Sequence, residues 1–282
     1  MVWVKIWWTW ATNIINKKTF ILNSFPLCGI SLRSKLLTML IELKNICKSY
    51  FVWDQEIPVL KGINLEIEER EFVSIMWHSG SGKSTLMNMI GMLDTPTSWD
   101  YFFEWKNVAK LNDDEQSEIR GKKIWFIFQT YNLIPRKSAL EQVMLPLSYQ
   151  GVKRSEREER AKKALIRVWL KDKLNSKPNE LSWWQQQRIA IARALVINPA
   201  IILADEPTWA LDTKTWDEVM WLITELWQEW KTVILITHEP EIANYAKRHI
   251  LVKDGNIVNT LESGLWDNIG KVEHERKRIF SH

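Results

Sequence analysis

The largely apolar run Phe72-Val73-Ser74-Ile75-Met76 is followed, after Trp77 and His78, by Ser79-Gly80-Ser81-Gly82-Lys83-Ser84-Thr85. An amphipathic stretch with helical spacing, Lys83 to Met92, comes next. No other feature constrains the chain as strongly as this order of buried strand, glycine-rich turn and helix. A strand ending in such a turn presents successive backbone N–H groups and a helix N-terminus at one point, which together cradle phosphate oxygens. Lys83 adds a full positive charge near the outer phosphates, and the Ser84 hydroxyl can ligate magnesium. A serine-capped turn without a ligand is the plainer reading. Gly82-Lys83-Ser84-Thr85 directly after a strand favours the phosphate cradle.

Further short apolar runs read as buried strands: Ile124 to Phe128, Ile201 to Ala204, Val233 to Ile236 and Ile250 to Val252. Ser155 to Val168, Gln185 to Val196 and Thr213 to Gln228 have helical spacing. Buried strands separated by helices predict an α/β fold with a mainly parallel sheet. The stretch Ala139 to Gln185 contains no strand pattern and reads as a helical insertion, within a helical subdomain of about residues 130–185. Leu40 to Ile46 begins the first alternating strand pattern, so the folded chain is expected to start at Met39. Residues 1–38 hold Trp3, Trp7, Trp8 and Trp10, lack acidic residues and show no sustained period; they read as a leader outside the fold. A signal peptide is disfavoured by the lack of a small-residue cleavage site after the apolar residues.

Composition narrows the class without naming it. With 282 residues, 26% of them charged and a net charge of +4, the chain can bury a full core and is neither a stapled mini-protein nor a disordered tail. The uncharged stretch Thr19 to Leu32 is interrupted by Asn23, Ser24, Pro26 and Gly29 and is too short to span a bilayer. Cys28 and Cys47 form neither a disulfide framework nor a metal-ligand spacing, which suits the cytoplasm. The small charge excess gives no reason to expect a nucleic-acid partner.

Candidate chemistry gathers at strand ends. Ile201-Ile202-Leu203-Ala204-Asp205-Glu206 places two carboxylates at the end of a buried strand, the edge that faces the ligand crevice in an α/β sheet. Asp205 can hold magnesium directly or through water, and Glu206 can polarise an attacking water. His238 follows the strand Val233 to Thr237, and Gln129 follows Ile124 to Phe128, so both reach the same edge. A lone histidine is more often structural; its placement beside Asp205 and Glu206 argues otherwise.

Taken in order, these residues resemble a known family. Lys83 within Ser79 to Thr85, Gln129, Leu181-Ser182-x-x-Gln185-Gln186-Gln187-Arg188, Ala204-Asp205-Glu206-Pro207-Thr208, Ala210-Leu211-Asp212 and Thr237-His238-Glu239 are similar to the ordered motifs of ABC-transporter ATPase subunits. The stretches Phe126 to Pro135 and Lys177 to Ser182 resemble the lipoprotein-releasing and macrolide-export branch.

The resemblance covers residues 39–259, leaving 260–282 as a tail. It implies a P-loop NTPase core with an antiparallel β region near the N-terminus. It also implies ATP and Mg2+ as ligands, a homodimer, membrane-spanning permease subunits as partners, and a peripheral place on the cytoplasmic face of the plasma membrane. By the same resemblance, Tyr50 stacks on adenine, and Ser79, Gly80, Ser81, Gly82, Lys83, Ser84 and Thr85 bind phosphate. Ser84, Gln129 and Asp205 serve the metal, Glu206 is the general base and His238 contacts the γ-phosphate. Gln129 also couples to the membrane partner, while Ser182, Gln185 and Asp212 complete the site across the dimer. A non-transport ATPase driving a cell-wall or division complex shares all of this chemistry. A translation-factor or DNA-repair relative fits less well, since only one ATPase unit is present.

One feature departs from the family. Tryptophan occurs 18 times and glycine only 10 times. Trp53, Trp77, Trp99, Trp105, Trp125, Trp169, Trp183, Trp184, Trp209, Trp216 and Trp230 fall where the family commonly has glycine, and Trp99, Trp105, Trp209 and Trp230 sit in stretches that read as turns. Glycine serves such places because positive φ or close backbone approach leaves no room for a Cβ. Drift does not select one residue type while sparing Lys83, Gln129, Asp205, Glu206 and His238. A UGA codon meaning glycine, rendered as tryptophan, accounts for the pattern. A degenerate, non-hydrolysing ATPase is the alternative.

Overall fold

The computed structural model describes residues 39–53, 55–77, 82–208, 213–229 and 231–262. The expected leader and most of the expected tail lie outside these residues. The N-terminal part is an antiparallel sheet in the order β2-β1-β4-β5, formed by β1 (Met39–Val52), β2 (Gln55–Glu68), β4 (Ser98–Phe103) and β5 (Lys106–Asn107). Trp99 lies inside β4 and not in a turn, which corrects the sequence reading at that position.

The second sheet has six strands in the order β10-β9-β3-β8-β7-β6. Its members are β3 (Phe72–Trp77), β6 (Ile124–Ile127), β7 (Ile201–Asp205), β8 (Thr232–Thr237), β9 (Arg248–Lys253) and β10 (Asn256–Glu262). Pairing is parallel throughout except for the β9–β10 hairpin. Every apolar run read as a strand in the sequence therefore lies in this sheet.

Strand periodicity divides the core in two. Phe72, Ile202, Ala204, Val233 and Leu235 face a cluster built with the helices, while Val73, Ile75, Leu203, Ile234 and Ile236 face the antiparallel sheet. Alternate side chains of one strand point to opposite faces, so a strand covered on both sides must be apolar at nearly every position. That is why these runs are continuous and not alternating.

Helix α1 (Lys83–Ile90) follows β3, and α2 (Asp113–Lys123) precedes β6. A bundle of α3 (Ala139–Tyr149), α4 (Arg154–Arg167) and α5 (Trp183–Ile197) forms the helical unit, followed later by α6 (Thr213–Gln228) and the single turn α7 (Pro240–Ala243). Its helix starts are written locally. In α2 and α3, Asn112 and Ser138 accept from the backbone N–H of Glu115 and Glu141, whose carboxylates accept from the cap residues' own N–H. Ser182 precedes α5, and Gln185 Oε1 accepts from the Ser182 N–H at 3.0 Å. The helix therefore begins at Trp183, two residues earlier than its apolar spacing indicates.

Candidate functional site

The parallel strands deliver their C-terminal ends to one edge, and β3, β6, β7 and β8 each lead there to a residue singled out by the sequence. β3 leads through residues 78–81, outside the described set, to Gly82 and Lys83. Gly82 adopts φ +88°, and a Cβ there would meet Val59 Cγ1 at 3.0 Å and the Val59 carbonyl oxygen at 3.2 Å. Both conformation and space call for glycine at the head of α1. β7 ends in Asp205 and Glu206, β8 in Thr237 and His238, and Gln129 lies two residues beyond β6.

Four of these groups meet. Lys83 Nζ lies 3.0 Å from Asp205 Oδ1 and 3.5 Å from Glu206 Oε1. Among the described residues Asp205 Oδ1 nonetheless has no aligned hydrogen-bond partner, so the first contact is an ion pair of poor hydrogen-bond geometry. Glu206 Oε1 lies 2.7 Å from His238 Nδ1 and accepts from the His238 backbone N–H at 3.2 Å. Glu206 Oε2 accepts from Thr237 Oγ1 at 3.2 Å. Thr237 is the contact that sequence reasoning missed; its hydroxyl in turn accepts from the Glu239 N–H, locking the strand end. Thr237 stood in the motif Thr237-His238-Glu239 without a role assigned to it.

Glu206 is nearly buried, at 3% exposure, and its backbone sits at φ 45°. A left-handed glutamate is strained and needs its surroundings to hold it, here the N–H of Glu206 bonded to the Ile236 carbonyl at 2.8 Å. Burial pushes the Asp205 carboxyl above its usual range, with Lys83 opposing that shift and Glu206 adding to it. Burial likewise raises Glu239. A buried carboxylate pair with one ammonium partner and an oxygen left over is suited to a hard divalent cation, and Asp205 with the exposed Ser84 hydroxyl is an all-oxygen donor set of the kind magnesium takes.

Other expected residues stand apart. Tyr50, on β1, donates to Asp94 Oδ2 at 3.0 Å, with Lys48 Nζ 5.2 Å from its ring centroid. Thr85 is buried in α1. The side chain of Gln129 has no hydrogen-bond partner among the described residues. Ser182 and Gln185 cap α5 on an exposed surface. Ser79, Gly80, Ser81 and Asp212 lie outside the described residues.

The ABC transporter family model matches residues 60–209, the stretch that runs from β2 through the phosphate loop and both carboxylates. The chain belongs to the ABC transporter family. Within it, the uncharacterized ABC transporter ATP-binding protein YvrO of Bacillus subtilis is 50% identical over 219 residues, which are 78% of this chain and 96% of that protein. The macrolide export ATP-binding/permease protein MacB of Campylobacter jejuni is 50% identical over 220 residues, but these cover only 34% of its length. Among solved structures, the ATP-binding cassette MJ0796 of Methanocaldococcus jannaschii, a dimer in a post-hydrolysis state bound to ADP and Pi, matches with TM-score 0.74 and 46% identity over 79% of this chain and 98% of that one. The fold is thus that of an ABC ATPase cassette, a family whose members bind and hydrolyse ATP. Among the described residues no helix is long and apolar enough to cross a membrane.

The tryptophans at family glycine positions divide by backbone. Trp53, Trp105 and Trp169 stand at φ 55°, 73° and 57°, in the left-handed region that an indole-bearing residue rarely enters. Trp77 lies in β3, and Trp183 and Trp184 open α5, all without positive φ. For these three the backbone conformation does not call for glycine. Trp77 and Trp125 hold buried indole N–H groups that find no acceptor among the described residues. Trp183 is 68% exposed, and Trp184 lies against Arg188 at 4.6 Å from the guanidinium. Trp209 is outside the described residues.

Proposed function

We propose that this chain is the ATP-hydrolysing subunit of an exporter or extractor, acting on a lipoprotein, peptide or drug-like substrate through membrane-spanning permease subunits. The observation that carries the reading is the convergence of Lys83, Asp205, Glu206 and His238 on one sheet edge. Similarity to a macrolide export protein supports the outward direction.

ATP binds with its phosphates along residues 79–85 and its adenine against Tyr50. Lys83 leaves its carboxylate partners for the phosphate oxygens. Asp205 and Ser84, with Gln129, hold Mg2+, which when bound neutralises phosphate charge. Glu206 accepts the proton of the attacking water; the new bond forms to the γ-phosphorus as the bond to the bridging oxygen of ADP breaks. His238 holds Glu206 in place through Nδ1 and contacts the γ-phosphate. Ser182, Gln185 and Asp212 of a second copy complete the site, so turnover requires a homodimer on the cytoplasmic face of the membrane.

Glu206→Gln tests the assignment. The amide keeps the shape but cannot take the proton, so ATP affinity should stay within about threefold while turnover falls at least about a hundredfold. Equilibrium nucleotide binding and phosphate release measure the two; a variant hydrolysing at the parent rate refutes the role of Glu206. A non-transport membrane complex is distinguished by which membrane protein co-purifies.

A further inference from the structure

Helix α5 touches both halves of the site without containing either. Gln187 is fully buried, at 0% exposure, and its Nε2 donates to the Pro207 carbonyl at 2.7 Å. That carbonyl belongs to the residue directly after Glu206. Among the described residues the Gln187 Oε1 has no hydrogen-bond partner, nor has the hydroxyl of Thr208. A buried amide that leaves its acceptor unpaired is a poor choice for stability alone, because an apolar side chain would fill the space without that penalty. What only an amide supplies here is a donor aimed at Pro207.

Six residues on, and about 120° round the helix, Arg193 reaches the loop that follows Gln129. Its guanidinium donates to the Tyr131 carbonyl at 2.6 Å and to the Asn132 carbonyl at 2.9 Å. Asn132 is left-handed at φ 47°, so the loop turns sharply where Arg193 grips it. Burial lowers the Arg193 pKa to about 10, still charged at neutral pH. The far end of the loop is pinned to the same helical unit, since Gln142 of α3 donates to the Ile134 carbonyl at 2.8 Å and accepts from its N–H at 3.2 Å.

We propose that Gln187 and Arg193 are positioning residues for ATP hydrolysis, through which the helix opened by Ser182 sets the geometry of the Glu206 segment and of the Gln129 loop together. The inference rests on the assignment of Glu206 and Gln129 to hydrolysis. Its consequence is that a shift of α5, the helix that meets the second copy, moves the base and the Gln129 loop as one.

The test compares Gln187→Met, Arg193→Met and Arg193→Lys in whichever parent turns over ATP, the chain as it stands or its counterpart with glycine at 77, 183, 184 and 209. Misplacement by a fraction of an ångström should lower kcat by about tenfold in both methionine variants, with KM for ATP changed less than about twofold and the melting temperature nearly unchanged. Arg193→Lys, which keeps one donor, should recover at least about a third of the parent kcat. Amide exchange, read without turnover, should quicken at residues 206–208 in Gln187→Met and at 130–134 in Arg193→Met, and not in α4. Parent-like kcat in Arg193→Met overturns the proposal even where Gln187→Met fails to fold. So does a kcat loss explained by the unfolded fraction, or unchanged exchange at both segments. Glu206→Gln run alongside isolates the underlying assignment: an active Glu206→Gln overturns that, whatever Gln187 does.

Discussion

At the residue scale, the unusual feature is the set of side chains forced into backbone meant for something smaller. Trp53, Trp105 and Trp169 take a left-handed conformation that costs a non-glycine residue on the order of 1 to 2 kcal/mol, offset in part by the entropy glycine loses on folding. Replacing Trp53 by glycine should therefore raise the unfolding free energy by roughly 0.5 to 1 kcal/mol, read from denaturant midpoints at constant slope, whereas Trp169, stacked on Trp221 with ring centroids 5.2 Å apart, gives up packing as well. Trp53 at 96% exposure packs against almost nothing, so it has least to lose. If the tryptophans at 77, 183, 184 and 209 stand for glycine, peptide mass spectrometry of protein from its own cell should show glycine at these four positions, with UGA codons there. UGG codons, or native peptides carrying Trp183-Trp184, would instead establish a degenerate ATPase.

At the scale of elements, the β3–β9 pair carries a titratable group in its middle. His249 pairs with Ser74 across the strands, its Nδ1 2.7 Å from the serine hydroxyl, and burial lowers its pKa below the ordinary 6.5. With the folded value depressed, the unfolded chain binds the proton first as pH falls. Stability contributed by neutral His249 is thus complete above about pH 6.5 and is lost as pH drops through the folded value. His249→Gln should flatten the fall in stability below about pH 6.5, measured by chemical denaturation at each pH. Equal slopes for parent and variant would show that His249 does not titrate with unfolding.

At the scale of the whole molecule, two cores meet on one sheet, and the chemistry sits on that sheet's edge while Ser182 and Gln185 sit on the helical unit. One copy does not close over its own nucleotide in the proposed mechanism. With ATP present, Glu206→Gln should accumulate as a dimer on gel filtration, whereas parent chain returns to monomer as ATP is consumed. A Glu206→Gln protein that stays monomeric at saturating ATP removes the dimer from the mechanism.

The sequence by itself determined the parallel sheet and which strand ends carry polar groups. Continuous apolar runs mark strands buried on both faces, and the groups at their ends, Lys83, Gln129, Asp205, Glu206 and His238, are legible because a parallel sheet sends all such ends to one edge. The sequence reading left out β2 although Ile63, Leu65 and Ile67 alternate with Asn64, Glu66 and Glu68 there, and it left out β4, a six-residue strand whose pairing with β1 depends on partners far along the chain. Only the tertiary structure decided which groups touch. It placed Thr237 Oγ1 on Glu206, gave Glu206 its left-handed backbone, and brought Gln187 and Arg193 of one helix to two loops remote in sequence. Such contacts form where side chains from separate elements converge at hydrogen-bond distance, and no local spacing encodes that.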